Sequence, residues 1–217
     1  MTPGPPVVVV LAAGASSRLG RCKALEPLGP DAEDHALSRY GALVAALGLR
    51  DAVLVTGADD RLLRAACPPG LACVHNAAWR TGRLESVRAA IRARPGRDVL
   101  LVPVDVPRVT RPVFQSLLAA WTAADSPEQG WLAPFVLERR DPTDGDAGRR
   151  FGHPVVVGRA LAAAIARSAP RTPESLRDWR ARATPLLAVE VHDPGILEDL
   201  DTPEDARRIR GESVSDP

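Results

Sequence analysis

Residues 11–23 read Leu-Ala-Ala-Gly-Ala-Ser-Ser-Arg-Leu-Gly-Arg-Cys-Lys. Small side chains at Ala12, Ala13, Gly14 and Ser16 let backbone N–H groups approach an anion closely. Arg18 and Lys23 add two fixed cations, and Arg21 is a candidate third. Close donors combined with fixed positive charge are what a triphosphate requires. The stretch follows directly on the apolar run Val7–Leu11. In an open α/β sheet the loops at the carboxyl ends of strands form the ligand crevice, so Leu11 belongs to the same candidate site. Two other phosphate-binding patterns are excluded. Gly20 is followed by Arg21-Cys22, not by the Lys-Ser/Thr of a P-loop, and Gly14 is followed by Ala15-Ser16, which breaks GxGxxG. A solvated turn with incidental arginines would have a similar composition, but its position after the first strand argues against that reading.

A second residue with chemical potential, Asp105, ends the apolar run 99–104. An aspartate at such a place is also a common turn former. Beside a phosphate loop in the same sheet it becomes a candidate ligand for Mg²⁺, which binds through one or two carboxylates, substrate phosphates and water. A second carboxylate is therefore expected. The chemistry that suits these groups is in-line attack of an acceptor phosphate oxygen on the α-phosphorus of a nucleoside triphosphate, with Lys23, Arg18 and the metal stabilising the developing charge. A phosphate monoester is already nucleophilic, which agrees with the lack of a convincing Ser-His-Asp or Cys-His set. His153 is a candidate acceptor contact, although a lone histidine more often serves as a structural hydrogen-bonding residue.

The elements that must position these residues alternate along the chain. Apolar runs at Val7–Leu11, Ala52–Thr56, Leu71–His75, 99–104, 132–136, 154–157 and 186–191 read as strands. Helices are predicted at Ala36–Ala46, 60–66, 85–93, 110–123, 159–168, 174–181 and 202–209. The first four strands are nearly continuous apolar runs, as expected when helices cover both faces of a parallel sheet. The fold class is therefore α/β: a single Rossmann-like domain over residues 1–210, with a mostly parallel central sheet and helices on both faces. Residues 211–217 read as a frayed tail. Thr110 and Thr202 each precede a proline in the first helical turn, a capped helix start. Residues 141–150, polar and rich in turn formers, read as a mobile surface loop. Pro103 falls inside the fourth strand, where a proline suggests a bulge. Trp121, Trp131 and Trp179 read as core or partner-facing residues.

Composition narrows the partners. At 217 residues the chain suits one sizeable domain. A net charge of +1 implies no bulk attraction to nucleic acid or membrane, so an anionic ligand needs a local cluster of charge. No apolar run approaches a bilayer span, and the start has neither a basic region nor a signal core. Cys22, Cys67 and Cys73 lack CxxC spacing and fit a reducing cytoplasm; Cys67 and Cys73 lack the accompanying pair that a metal site would need.

Residues 11–23 resemble the signature of the molybdenum-cofactor nucleotidyltransferases, Leu-Ala-Ala-Gly-x-Ser-x-Arg-Met-Gly-x-x-Lys, with Leu19 in place of the methionine. The segment from Asn76 through Trp79 to Gly82, followed by Ser86, is similar to the family's Asn-x-x-Trp-x-x-Gly. Asp105-Val106-Pro107, Gly152-His153-Pro154 and Asp201-Thr202-Pro203-Glu204-Asp205 resemble its later landmarks, in order. The resemblance is nearest to the cytidylyl-transferring members. It implies that Asn76, Gly82 and Ser86 lie against the base and ribose, and it places a metal ligand in the segment of Asp201. Asp199, two residues earlier and on the same face of an extended chain, is the alternate ligand. It further implies Mg²⁺ as cofactor, CTP as donor, molybdopterin as the phosphorylated acceptor, and a molybdoenzyme or its chaperone as a partner. The chain departs from the family where Gly29 leads into the acidic 31–35 segment. Two other functions use the same fold. A nicotinamide-dependent oxidoreductase would want GxGxxG and a ribose-binding acid, and the chain has neither. A non-catalytic nucleotide-binding or cofactor-delivery module would bind without releasing pyrophosphate.

Overall fold

The computed structural model describes residues 4–138, 148–168 and 174–212. Its centre is one eight-stranded sheet. β1 (Val7–Leu11), β2 (Ala52–Thr56), β3 (Leu71–His75) and β4 (Val99–Pro103) run parallel in the order β3-β2-β1-β4. β5 (Trp131–Glu138) and β7 (Val155–Val157) continue the sheet beside β4. β7 is antiparallel to both β4 and β5. β6 (Gly148–Phe151) follows β7 along one edge of β5, and β8 (Leu186–Glu190) lies parallel on the other.

β1, β2 and β4 are buried along their whole length, whereas β3, at the sheet edge, is half-exposed. Strand alternation divides the apolar runs between two cores. Val8, Val10, Leu54 and Leu100 pack beneath α1 (Ala36–Ala46), α2 (Asp60–Ala65), α4 (Arg111–Ala123) and α7 (Pro203–Arg210). Val7, Val9, Leu11 and Val53 pack beneath α3 (Arg83–Ala93), α5 (Arg159–Arg167) and α6 (Leu176–Ala181). Truncating a fully buried residue such as Leu100 to alanine should cost about 2–5 kcal/mol.

Three expectations are corrected. The polar stretch 141–150 is not all loop: Gly148-Arg149-Arg150 pair with β5, while 141–147 lie outside the described residues. The sequence could not show this, because the partner strand supplies what Gly-Arg-Arg lacks in strand propensity. Thr110 does not cap α4 with its side chain; its hydroxyl and N–H both donate to Asp193 Oδ2, at 2.6 and 2.9 Å. Pro103 needs no bulge. It is the last residue of β4 and pairs with Leu11. Val104 N donates to Leu11 O, so the position of Pro103's missing N–H faces the other way, where β7 pairing has ended at Leu101. Trp121, Trp131 and Trp179 are all buried, the core reading of the two that the sequence left open. Of the expected tail, Gly211 closes α7 in a left-handed conformation and 213–217 lie outside the described residues. No helix among the described residues is long and apolar enough to cross a membrane.

Candidate functional site

The carboxyl ends of β1 and β4 open into a cavity of about 310 Å³. The loop after β1 forms its floor, and Leu11, Ala12, Gly14, Ser16, Arg18 and Lys23 line it. Ser16 holds a left-handed backbone, φ 49°, uncommon for a residue with a side chain. Its carbonyl accepts from Gly20 N and its hydroxyl accepts from Lys23 N at 3.1 Å, so the loop is folded back on itself. Gly14 is exposed with open space above it, and a Cβ there would meet no protein atom within 4 Å. The fold therefore does not demand glycine at this position; close approach by a ligand would.

Asp105 follows β4, and its turn is held from two sides. The buried Tyr40 hydroxyl donates to Val106 O, and Leu200 N donates to Asp105 O at 2.7 Å. This second bond fastens the segment that carries Asp201. Asp201 and Asp105 line the same cavity, as do Gly82 and Ser86. Asp201 meets both loop cations: Lys23 Nζ donates to its Oδ1, and Arg18 donates to its Oδ2 at 2.7 Å. Partial burial works against its charge, but Lys23 and Arg18 outweigh that and hold its carboxyl below the usual range. Asp199 is exposed and does not line the cavity. Crowding around its carboxyl, then the charges of Asp105 and Asp201, raise it above the usual range. The three carboxylate charges are therefore near enough to act on one another. Among the described residues no group of three or more His, Cys, Asp or Glu is already arranged to hold a metal. Mg²⁺ does not require one, since phosphates and water complete its shell.

Two of the nucleotide-site candidates lie outside the cavity lining. Ala13 is buried, and its methyl and carbonyl crowd Gly57, where a Cβ would lie 2.4 Å from Ala13 O. Asn76 is buried and works internally. Its amide donates to Ser86 Oγ at 3.1 Å and its carbonyl accepts from Ala78 N at 3.0 Å, which fixes Ser86 and the loop before α3. Trp79 packs against the sheet face and also lines the cavity. Gly82 turns at φ 131°, a backbone that side chains resist.

Three residues escaped sequence reasoning. Cys22 lines the cavity, its thiol pushed up to about 11 by burial. Arg83 stands at the start of α3, borders the cavity and reaches Asp105 at 3.8 Å. Its signal is visible only in hindsight, as the first helical residue after Gly82. Glu26 is fully buried and pairs with Arg21 of the loop and with Arg210 of α7, the latter at 2.8 Å. It joins the phosphate loop to the last helix, a contact between residues too distant in sequence to be read.

His153 does not line this cavity but an adjoining one of about 640 Å³. Burial depresses its pKa, opposed by the Asp105 charge and helped by Arg83. The free thiols Cys67 and Cys73 lie in the core layer away from the cavity, Cys67 pushed up to about 12 by burial.

Residues 8–186 match the family model described as the MobA-like NTP transferase domain. Among solved structures, the chain is similar to Rv0371c from Mycobacterium tuberculosis H37Rv, with a TM-score of 0.73 and 22% identity over 98% of this chain and 100% of that one. A second Rv0371c structure, a complex with manganese, gives 0.64 and 22% over 97% and 100%. The 2-C-methyl-D-erythritol 4-phosphate cytidylyltransferase from Thermus thermophilus gives 0.64 and 19% over 95% and 98%. The molybdopterin-guanine dinucleotide biosynthesis protein A from Archaeoglobus fulgidus gives 0.62 and 14% over 94% and 97%. At these identities the likeness establishes the fold. Comparison with curated proteins finds no significant match. The family match covers most of the chain and includes the phosphate loop, Asp105 and the seam at Gly82, so the protein belongs to the MobA-like NTP transferase family and is a nucleotidyltransferase.

Proposed function

We propose that the protein transfers CMP from CTP to the phosphate of molybdopterin, releasing pyrophosphate, with Mg²⁺ as cofactor. The observation that carries this reading is the convergence of Lys23 and Arg18 with Asp105 and Asp201 around one cavity that opens onto a second. In the reaction an acceptor phosphate oxygen forms a bond to the α-phosphorus, and the bond to the bridging oxygen of pyrophosphate breaks. Lys23 and Arg18 neutralise charge on the triphosphate, and the loop N–H groups from Ala12 to Ser16 donate to its oxygens. An incoming triphosphate competes with Asp201 for both cations and frees that carboxylate. Asp105 and Asp201 would hold the metal, with Asp199 as the alternate. When bound, Mg²⁺ supplies Lewis-acid stabilisation of the transferring phosphoryl group. Gly82 and Ser86 lie against the nucleoside, positioned by Asn76, and His153 belongs to the acceptor.

The choice of CTP rests on the resemblance to the cytidylyl-transferring members; fold neighbours whose names refer to cytidine and to guanine nucleotides do not decide it. Ala13 packs on Gly57, so its influence on the base acts through the loop's path, and preference is expected rather than exclusivity. The product passes to a molybdoenzyme or its chaperone in the cytoplasm. The test is pyrophosphate release from each of the four NTPs with molybdopterin and with methylerythritol phosphate, with and without Mg²⁺. CTP with molybdopterin should give the highest kcat/KM. Equal or better use of GTP would remove the cytidylyl assignment, and release with methylerythritol phosphate alone would remove the acceptor.

A further inference from the structure

The two cavities share Leu11, Gly82, Arg83 and Pro103, so they meet at the carboxyl ends of β1 and β4. Away from that seam the larger cavity changes character. Leu84, Leu101, Ala133 and Val155 give it an apolar wall. α6 supplies Arg177 and Arg180. Arg180 lies 5.1 Å from the ring centroid of Phe151, and neither arginine forms an ion pair with a carboxylate among the described residues. Glu174, on the same wall, is held by Arg182 at 2.7 Å. Three buried polar atoms of lining residues have no hydrogen-bond partner among the described residues: Trp131 Nε1, His153 Nδ1 and Glu174 Oε2. Trp131 is only 5% exposed, so its indole N–H is a donor withdrawn from water with no compensating acceptor among the described residues. Folded proteins rarely leave such groups unpaired, and a mixed apolar cavity with a few convergent polar groups is the usual form of a ligand site.

We infer that the acceptor is held at two points, with its reacting phosphate at the Arg83 seam and a second anionic group at its far end bound by Arg177 and Arg180. The inference rests on the reading of the adjoining cavity as the nucleotide site and not on molybdopterin as the acceptor, since the pterin end of that molecule carries no anion. Two guanidiniums with no ion pair among the described residues can recognise a carboxylate or similar anion by charge-assisted, fork-shaped hydrogen bonds. The apolar residues of the same cavity favour a body with little hydroxyl character. A polyol phosphate would leave its hydroxyls facing Leu84, Leu101 and Val155 without partners. Trp131 and His153 are left to satisfy a polar edge of that body.

The experiment compares phosphomonoester probes by calorimetry on the full chain: phenyl phosphate, 4-carboxyphenyl phosphate and the longer 4′-carboxybiphenyl-4-yl phosphate. At least one carboxylated probe should bind the wild type about tenfold more tightly than phenyl phosphate, as one charge-assisted contact allows. In the Arg177→Ala/Arg180→Ala variant that gap should collapse, with phenyl phosphate binding unchanged. Equal binding of all three probes to the wild type, or a gap that survives in the variant, overturns the inference. Binding of Mg²⁺ with CTP is measured in parallel. Its retention in the variant shows an intact fold, and its absence from the wild type would count against the nucleotide site while leaving the probe comparison readable.

Discussion

The half of the sheet built on β1–β4 and the half built on β5–β8 place their chemistry in different ways. In the first half the strands are parallel, so their carboxyl ends and loops gather on one side, and a single loop of twelve residues from Ala12 to Lys23 supplies backbone donors and cations together. In the second half β7 runs antiparallel to its neighbours, and the residues that border a cavity come from scattered places: Trp131, His153, Glu174 and Arg180. The first arrangement concentrates charge for a ligand shared across a family. The second builds walls whose composition can change without disturbing the loop. On the proposed reading, donor chemistry belongs to the first half and acceptor choice to the second, and Arg83 and the Asp201 segment join them.

The division is tested most severely at Lys23. Lys23→Ala should lower kcat by about a hundredfold, about 3 kcal/mol of lost transition-state stabilisation. Arg18 still meets Asp201 in the variant, so the fold should survive, as circular dichroism and the melting temperature would show. Turnover near the wild-type rate would take the phosphate loop out of the chemistry. Asp105→Asn keeps the shape of the side chain and removes the charge. An activity loss of about 2 kcal/mol, roughly thirtyfold, is expected, with CTP binding weakened less than Mg²⁺ dependence. Titrating Mg²⁺ against rate in both proteins checks this, and an unchanged metal dependence would exclude Asp105 as a ligand.

Arg83 tests the seam. It is exposed and only 3.8 Å from Asp105, so little stability depends on it. Arg83→Ala should raise the acceptor KM about tenfold while leaving the KM for CTP nearly unchanged. A change confined to CTP would move Arg83 to the donor side and erase the proposed boundary between the halves.

The same contrast explains how far the sequence could be read. β1, β2 and β4 are continuous apolar or β-branched runs buried along their whole length, and that burial against helices on both faces is a local property of composition. β6 was illegible because Gly148-Arg149-Arg150 becomes a strand only by pairing with β5. The phosphate loop was legible because its residues are contiguous. Asn76 and Ala13 show the limit: a motif names the position, but whether a side chain faces the cavity or props up its neighbour depends on a partner elsewhere, Ser86 for one and Gly57 for the other. Glu26 and the arginines of α6 carry no motif at all. Their place in the site is set by contacts across the whole fold.

The smallest expected effect concerns the segment that delivers Asp201 to the first half. Asp205 lies in the first turn of α7, and its Oδ2 accepts from the N–H groups of Asp201 and Thr202 at 3.1 and 3.0 Å, while Thr202 Oγ1 accepts from Asp205 N. Partial burial works against its charge, but these hydrogen bonds and the Arg208 charge outweigh it and hold the carboxyl below the usual range. The folded-state pKa is therefore depressed from the unfolded value of about 3.9. Above that value the charge favours the folded state in full. The contribution is lost as pH falls through the depressed folded value, where both states carry the proton. Asp205→Asn keeps an acceptor oxygen but not the charge at the helix N-terminus, so at pH 7 it should cost about 0.5–1 kcal/mol. That is a fall of about 1–4 °C in Tm for a chain of this size. In acid the protonated wild-type side chain resembles asparagine, and the two melting curves should converge. A penalty equally large at low pH would show that shape rather than charge fixes this cap.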